Sequence, residues 1–194
     1  MRVLVVWAHP LEDSFSAVLC RTAVTALARA GHSVDVLDLY RADFQPCLSM
    51  DERRVYHQRA PATGDVTDLV DRLRAAEGLL LVYPTWNFGP PAILKGWFDR
   101  VLLPGVAFTL EGGRTRPALD AIRRLGVVTT YGGKRWMVRL LVGDPGARLV
   151  RRGLARLCPR LRGCDWLALH DMNSPDAGRR EAFMAEVDRR LSRW

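Results

Sequence analysis

An aromatic loop follows the most apolar segment of the chain. Residues 78–83 read GLLLVY, which is typical of a buried strand, and they are followed directly by Pro84, Thr85, Trp86, Asn87, Phe88 and Gly89. Ligands of open parallel sheets bind at the carboxyl ends of the strands. There, Trp86 and Phe88 could stack on a flat ring while Asn87 hydrogen-bonds its edge. Alternatively, the aromatic side chains pack on the core or on a partner subunit. Because two aromatic residues this close cannot easily face one core, we expect at least one of them at a site or an interface.

A second candidate loop follows the apolar run at residues 3–7. It contains Ala8, His9 and Pro10, and it ends at Ser14, Phe15 and Ser16, where a helix begins. The backbone N–H groups of a helix N-terminus and the helix dipole favour phosphate, and serine hydroxyls and a histidine add polar partners. The alternative is that Ser14 only caps the helix and His9 only hydrogen-bonds the loop. The loop lacks the G-x-G-x-x-G pattern, which disfavours a Rossmann dinucleotide site.

A third candidate loop follows a predicted strand at residues 124–130. Thr129 and Thr130 end that strand, and Tyr131, Gly132, Gly133 and Lys134 come next. Paired glycines let the backbone approach a ligand closely, and their N–H groups could hold an anionic ring edge. A simple turn would explain the glycines equally well.

Strands and helices must alternate to bring these loops together. Apolar runs predict strands at residues 3–7, 33–37, 78–83, 124–130 and 164–169. Periodicity and end signals predict helices at residues 14–30, 51–58, 66–76, 147–157 and 179–191, and one beginning at Pro90 and Pro91. This alternation predicts a single α/β domain over residues 1–194: a flavodoxin-like, doubly wound, five-stranded parallel sheet of order 2-1-3-4-5, covered by helices on both faces. Residues 105–118 form the longest irregular excursion.

Composition narrows the functional classes. The 194 residues are 48% hydrophobic, which suits one globular core, and no apolar run is long enough to cross a bilayer. No export signal is evident, so we expect a cytoplasmic protein without disulfides and without a metal site. The net charge of +8 favours anionic partners, but the arginines are spread along the chain rather than gathered in one stripe with exposed aromatics. Nucleic-acid binding is therefore not expected.

The three loops resemble those of the NAD(P)H:quinone oxidoreductases with the flavodoxin-like fold. The family's AHP…SF opening is matched at Ala8, His9, Pro10, Ser14 and Phe15. Its P-x-W-x-F…PAxLKGWxDRV segment is matched at residues 84–88 and 91–101, and its TTGG loop at Thr129, Thr130, Gly132 and Gly133. Residues 44–58 resemble the family's F-x-P-x-L-S region. The resemblance covers about residues 2–140.

The resemblance implies a bound flavin, FMN or FAD, with NAD(P)H as co-substrate and a quinone-like acceptor. If the family's roles apply at the matching positions, the phosphate end of the flavin is held by His9, Ser14, Phe15 and Ser16. One side of the isoalloxazine is lined by Pro84, Thr85, Trp86, Asn87 and Phe88. Its other edge is closed by Thr129, Thr130, Gly132 and Gly133. Trp86, Phe88 and Tyr131 are the implied substrate pocket. The family is usually dimeric, which implies a homodimer whose flavin site is completed at the interface.

The chain departs from the family pattern after Thr130. Tyr131 is inserted into TTGG, and Lys134, Arg135 and Trp136 replace the Tyr and His that many members carry. Lys134 either stabilises negative charge on the reduced flavin or faces solvent. Two other readings stay open: an ancillary subunit of a potassium efflux transporter, peripherally bound at a membrane, and a flavodoxin-like electron carrier. The positive charge argues against the carrier.

Overall fold

The central sheet has five parallel strands in the order β2-β1-β3-β6-β7. The computed structural model describes residues 1–57, 64–174 and 176–194. The strands are β1 (Arg2–Trp7), β2 (Ser33–Asp38), β3 (Gly78–Pro84), β6 (Arg124–Thr130) and β7 (Gly163–Leu169), with β4 (Phe108–Glu111) and β5 (Arg114–Pro117) in a separate hairpin. Counting only the sheet strands, this is the predicted order 2-1-3-4-5. The predicted flavodoxin-like fold is confirmed.

Helices cover both faces of the sheet. They are α1 (Phe15–Arg29), α2 (Met50–Val55), α3 (Thr67–Ala75), α4 (Ala92–Val101), α5 (Pro145–Arg148) and α6 (Ala177–Leu191). One apolar cluster joins α1 and α6 to the sheet, and a larger one joins α3 and α4 to the opposite face. Both clusters bury their strand residues almost completely, which explains why the strands are continuous apolar runs. No helix in the described ranges combines the length and apolar character needed to cross a membrane.

Four segments differ from the sequence prediction. Residues 105–118 contain the β4–β5 hairpin, whose turn places Gly112 and Gly113 at φ +56° and +75°; paired glycines of this kind favour the two-residue hairpin turn. The predicted helix at 147–157 is instead the short α5, then π-helical turns over Leu149–Gly153 and a 3₁₀ turn over Leu154–Leu157. Gly146 and Gly153 weaken helix propensity there. Another π-helical segment, Met137–Leu141, was not predicted. The helix predicted at 51–58 covers Met50–Val55, and Gln58 lies outside the described residues.

The LKGWFDRV segment of α4 is explained by packing. Trp97 is fully buried, and a Cβ on Gly96 would lie only 2.3 Å from the carbonyl oxygen of Pro46. Position 96 must therefore be glycine for the loop after β2 to cross α4 so closely. Lys95 and Asp99 form an exposed ion pair at 2.6 Å on the outer side of the helix. The segment that most supports the family resemblance therefore has a structural role in packing α4.

Arg100 ties α4 to the loops beneath it. Its side chain is only 4% exposed, and it donates hydrogen bonds to Glu52 Oε1 at 2.6 and 2.8 Å, to Asp65 Oδ1 at 2.5 Å and to the carbonyl oxygen of Gln45 at 2.5 Å. Burial by itself raises the pKa of the Glu52 carboxyl, but hydrogen bonds from the Ser49 backbone and from Arg100 outweigh burial and hold that pKa below its usual value.

Candidate functional site

The sheet brings the three predicted loops to one edge. β1, β3 and β6 are neighbours, and Trp7 lies beside Val82 while Pro84 lies beside Thr130. Backbone hydrogen bonds continue beyond the strand ends, from Ala8 N to the carbonyl oxygen of Val82 at 3.0 Å and from Thr85 N to that of Thr130 at 2.8 Å. The loops after these strands therefore start side by side at the carboxyl edge, which is the position expected for a ligand site.

The loop after β1 presents the N-terminus of α1. Ser14 Oγ accepts a hydrogen bond from Ala17 N at 3.2 Å and donates one to the carbonyl oxygen of Leu11 at 2.7 Å, so Ser14 does cap the helix. Within the described chain, the N–H groups of Phe15 and Ser16 have no acceptor. Capping and anion binding are thus compatible, because the cap occupies one N–H group and leaves two.

The side chains of His9 and Ser16 differ in their hydrogen-bond partners and in their burial. His9 Nδ1 lies 3.0 Å from Leu11 N and 3.1 Å from the Leu11 carbonyl oxygen; when Nδ1 accepts from Leu11 N, the neutral ring carries its proton on Nε2 as a donor. Ser16 is buried, and Trp7 Nε1 donates to its Oγ at 3.3 Å. The Ser16 hydroxyl is therefore engaged inside the protein, and its backbone N–H is the group that remains for a ligand.

The aromatic loop is a tight reverse turn. Trp86 N donates to the carbonyl oxygen of Gly89, and Gly89 N donates to that of Trp86, both at 3.0 Å. Asn87 and Phe88 have φ values of +48° and +63°, as in a type I′ turn. Asparagine tolerates this region, whereas phenylalanine is strained in it. The turn holds Trp86 44% and Phe88 38% exposed.

Contacts of the turn tie it to both flanking loops. The rings of Trp86 and His9 have centroids 6.0 Å apart at 58°. Thr85 Oγ1 lies 2.9 Å from Thr129 Oγ1, which is fully buried. Trp86 therefore joins the turn to the loop after β1, and Thr85 joins it to the end of β6. The Thr129 side chain holds this arrangement together rather than facing the crevice.

The glycine pair lies on the exposed side of the loop after β6. Gly132 and Gly133 do not have positive φ, and a Cβ on Gly132 would make ordinary contact with Asn173 at 3.4 Å. On Gly133 a Cβ would meet the flexible end of Met137 at 2.4 Å. Thr130 is half-buried, and Lys134 is exposed.

Tyr131 does not have the place predicted for it. Its side chain is 2% exposed, its OH donates to Asp144 Oδ1 at 2.8 Å, and its ring stacks on His170 at 4.6 Å and 17°. Burial and then Asp144 raise the pKa of the Tyr131 phenol. The sequence prediction placed Tyr131 in the substrate pocket; in this structure its ring is buried against His170, directly after β7.

Sequence reasoning missed Asp144 and Gly146. Asp144 N-caps α5, with its Oδ1 accepting from Ala147 N at 3.2 Å, and Pro145 follows at the first helical position. An Asp-Pro pair of this kind is a recognisable helix start. A Cβ on Gly146 would lie 3.6 Å from the carbonyl oxygen of Phe88 and 3.5 Å from Tyr131 OH. The start of α5 therefore packs against the aromatic turn.

Comparison with known proteins agrees with this architecture. The profile of a protein family described as "Flavodoxin-like fold" matches residues 1–188. The chain belongs to this family. It is 34% identical over 148 residues to the ribosyldihydronicotinamide dehydrogenase [quinone] of Homo sapiens, covering 68% of this chain and 64% of that protein. It is 30% identical over 176 residues to NAD(P)H dehydrogenase [quinone] 1 of Rattus norvegicus, covering 81% and 64%. The chain thus spans just under two thirds of the length of these relatives.

Solved structures of similar proteins cover the whole chain. The NAD(P)H:quinone oxidoreductase from Methanothermobacter marburgensis is 28% identical with a TM-score of 0.80, over 99% of this chain and 98% of that one. Smu.1420 from Streptococcus mutans is 25% identical with a TM-score of 0.87, over 100% of both chains. An FMN-dependent NADH-azoreductase from Bacillus anthracis, solved with FMN, has a TM-score of 0.81 at 16% identity, over 100% and 99%, and shows the fold alone.

Proposed function

We propose that this protein is a flavin-dependent NAD(P)H oxidoreductase that passes hydride from NAD(P)H through a bound flavin to a quinone-like acceptor. One observation carries the proposal. An exposed Trp-Asn-Phe turn stands beside the open N-terminus of α1 at the carboxyl edge of the sheet. Similarity to a quinone oxidoreductase of almost the same length supports it.

The donor groups at this edge fit a flavin. The N–H groups of Phe15 and Ser16 and Nε2–H of His9 suit a phosphate, because helix N-termini favour anions. Among the described residues, the N–H groups of Asn87 and Phe88 also have no acceptor. They would meet the polar edge of an isoalloxazine. Gly132 and Gly133 would close its other edge.

The flavin, when bound, supplies the two-electron hydride chemistry, and the protein supplies binding and orientation. Trp86 and Phe88 present apolar faces that exclude water and favour flat substrates. The I′ turn fixes their directions, and the Thr85–Thr129 hydrogen bond secures the turn to β6. No side-chain acid or nucleophile is required, since hydride moves between cofactor and substrates.

Flavin content tests the proposal directly. Purified protein, after incubation with FMN or FAD, should show flavin absorbance, and mass spectrometry of the released cofactor should identify which flavin binds. The holoenzyme should oxidise NAD(P)H only when a quinone is present. Protein that stays colourless with both flavins would refute the assignment.

Ser14→Asp tests the phosphate position. Aspartate caps helices as well as serine does, so the helix should persist while its carboxylate repels the flavin phosphate. We expect loss of most bound flavin, with an unchanged unfolding midpoint when the wild type and the variant are compared without flavin. Ser49→Asp is the matched control, because Ser49 caps α2 through Glu52 N at 3.1 Å, far along the chain from this site. Normal flavin content in Ser14→Asp would contradict the assignment.

We also propose a homodimer. The segment after the glycine pair exposes Trp136, Leu140 and Leu141 at 57, 79 and 71%, and Trp86 and Phe88 are exposed as well. Apolar side chains concentrated in this way are typical of interaction surfaces. Light scattering on purified protein should give twice the chain mass of 21.8 kDa. Leu140→Glu should shift the protein towards the monomer, whereas a monomeric wild-type protein would refute the proposal.

A further inference from the structure

A basic cavity lies outside the three loops, at the edge strand β7. In the described sheet, β7 pairs with β6 alone. A cavity of about 250 Å³ lies along β7, and its lining includes Arg135, Arg139, Arg151, Trp166 and His170 together with the acidic residues Asp144 and Glu186. We call it the arginine groove. Arg135 lies just before the π-helical segment Met137–Leu141, Arg139 lies within it, and Arg151 lies in the π-helical turns over Leu149–Gly153.

The three arginines have no partners of their own. Neither Arg135, Arg139 nor Arg151 forms an ion pair or a hydrogen bond with any residue that the structure describes. In contrast, Arg190 near the same strand pairs with Asp165, and Arg179 donates to the carbonyl oxygen of His170 at 2.8 Å. The guanidinium groups of the groove therefore remain free for an external acceptor.

Two further polar atoms of the groove are buried without a partner. Trp166 Nε1 and His170 Nδ1 are both inaccessible and unpaired in the described structure. An indole N–H can only donate, so its burial is costly unless an acceptor reaches it. Trp166 lies within β7 and His170 directly follows the strand, and both side chains line the cavity.

The local field is positive. Burial is the main reason that the pKa of His170 is below its usual value, and Arg135 and Arg139 lower that pKa further, while Asp144 opposes them. A neutral imidazole thus sits beside cationic guanidinium groups. The lining also carries the carboxylates of Asp144 and Glu186, so three guanidinium groups share the groove with two carboxylates, and Asp144 also accepts hydrogen bonds from Tyr131 OH and Ala147 N.

We propose that the arginine groove binds a phosphate-type anion, held by Arg135, Arg139 and Arg151 and by the N–H of Trp166. Guanidinium groups bind phosphate oxygens in pairs, and the indole N–H supplies a further donor. The volume suits a phosphate group with a small substituent and is below that of sites for whole drug-sized ligands. Such a group is either free phosphate or the phosphate monoester of a larger ligand such as NADPH.

The groove is coupled to the predicted flavin site through Tyr131. The ring of His170 stacks on Tyr131, and Asp144 receives the Tyr131 hydroxyl, so both sides of the groove contact the residue that precedes Gly132. The anion site itself does not depend on flavin binding. It can be measured on the oxidised protein without any reaction, and its failure is therefore distinguishable from failure of the proposed function.

Indole N–H signals in a proton–nitrogen NMR spectrum give the test. Inorganic phosphate is titrated at constant ionic strength against chloride, and Trp166→Phe identifies the Trp166 signal among the six tryptophans. We expect that signal to shift saturably in the wild-type protein. Arg139→Gln should weaken binding about tenfold, since a charge-assisted hydrogen bond is lost. Arg114→Gln, which removes an exposed arginine from the β4–β5 hairpin, should leave binding unchanged.

NADP⁺ and NAD⁺ distinguish the two sources of phosphate. If NADP⁺ shifts the Trp166 signal at lower concentration than inorganic phosphate while NAD⁺ does not, the anion is the monoester of the dinucleotide. If NADP⁺ and NAD⁺ behave alike and phosphate alone binds, it is free phosphate. A Trp166 signal that does not move, or that moves equally in wild type and Arg139→Gln, would overturn the proposal.

Discussion

Replacing Arg100 by leucine should destabilise the protein strongly without touching the candidate site. The substitution removes four hydrogen bonds from a side chain that is 4% exposed and leaves Glu52, Asp65 and the Gln45 carbonyl without their common donor. Breaking a buried ion pair from one side costs about 3–5 kcal/mol. The Glu52 and Asp65 side chains are 23% and 67% exposed, so water can recover part of the loss, and we expect a value near the lower end.

Urea unfolding followed by circular dichroism measures this loss. With a denaturant slope of about 2 kcal/mol per molar, a loss of 3 kcal/mol lowers the midpoint by about 1.5 M. Arg54→Leu is the matched control, because Arg54 pairs with Asp51 on the surface, where both side chains are more than 70% exposed. That variant should lose less than about 1 kcal/mol. Equal losses in the two variants would refute the role assigned to the buried cluster.

The pH dependence gives an independent check. The pKa of Glu52 is lowered in the folded state, so the ionised carboxylate contributes stability above its unfolded pKa of about 4.3 and loses it as the pH falls through the folded value. The gap in unfolding free energy between wild type and Arg100→Leu should therefore be widest above pH 5 and narrow below pH 4. A gap that stays constant over this range would mean that packing alone explains the loss.

Three further predictions each concern one residue: Phe88, Trp194 and Cys20. Phe88→Gly should raise the unfolding free energy by up to about 1 kcal/mol, because glycine relieves the φ of +63°, while flavin affinity falls; lower stability would contradict the strain argument. Trp194→Ala should cost about 3 kcal/mol in urea unfolding, because the ring packs against the core beneath α1 and α6, whereas Leu110→Ala, at an exposed position of the β4–β5 hairpin, should change it by less than about 0.5 kcal/mol. Ellman's reagent should label exposed Cys47 quickly and Cys20 only on unfolding, since burial raises the pKa of Cys20 to about 12; fast labelling of Cys20 in a Cys47→Ser variant would disprove this.

The local sequence pattern was enough to predict the fold and the edge of the sheet where the three candidate loops meet. Buried parallel strands are continuous apolar runs, and helices between them carry a 3.6-residue stripe, so strand order and the edge where β1, β3 and β6 end could be predicted without contacts. The Ser14 cap was also predictable, because capping depends on neighbours three residues away. These features depend on short-range chemistry, which the sequence shows directly.

Directions of side chains were decided by tertiary structure. Tyr131 was predicted at the pocket, yet its buried ring stacks on His170, directly after β7, and its OH donates to Asp144, directly before α5. Asp144 and His170 are 13 and 39 positions away from Tyr131 in the sequence, so no local sequence pattern predicts these contacts. The arginine groove is likewise formed by tertiary structure. Its arginines look like scattered surface charge along the chain, and only the tertiary fold brings three of them into one cavity with Trp166, whose indole N–H is unpaired in the described structure. The sequence determined which loops meet at the edge of the sheet, and long-range packing decided which side chains those loops bury or expose there.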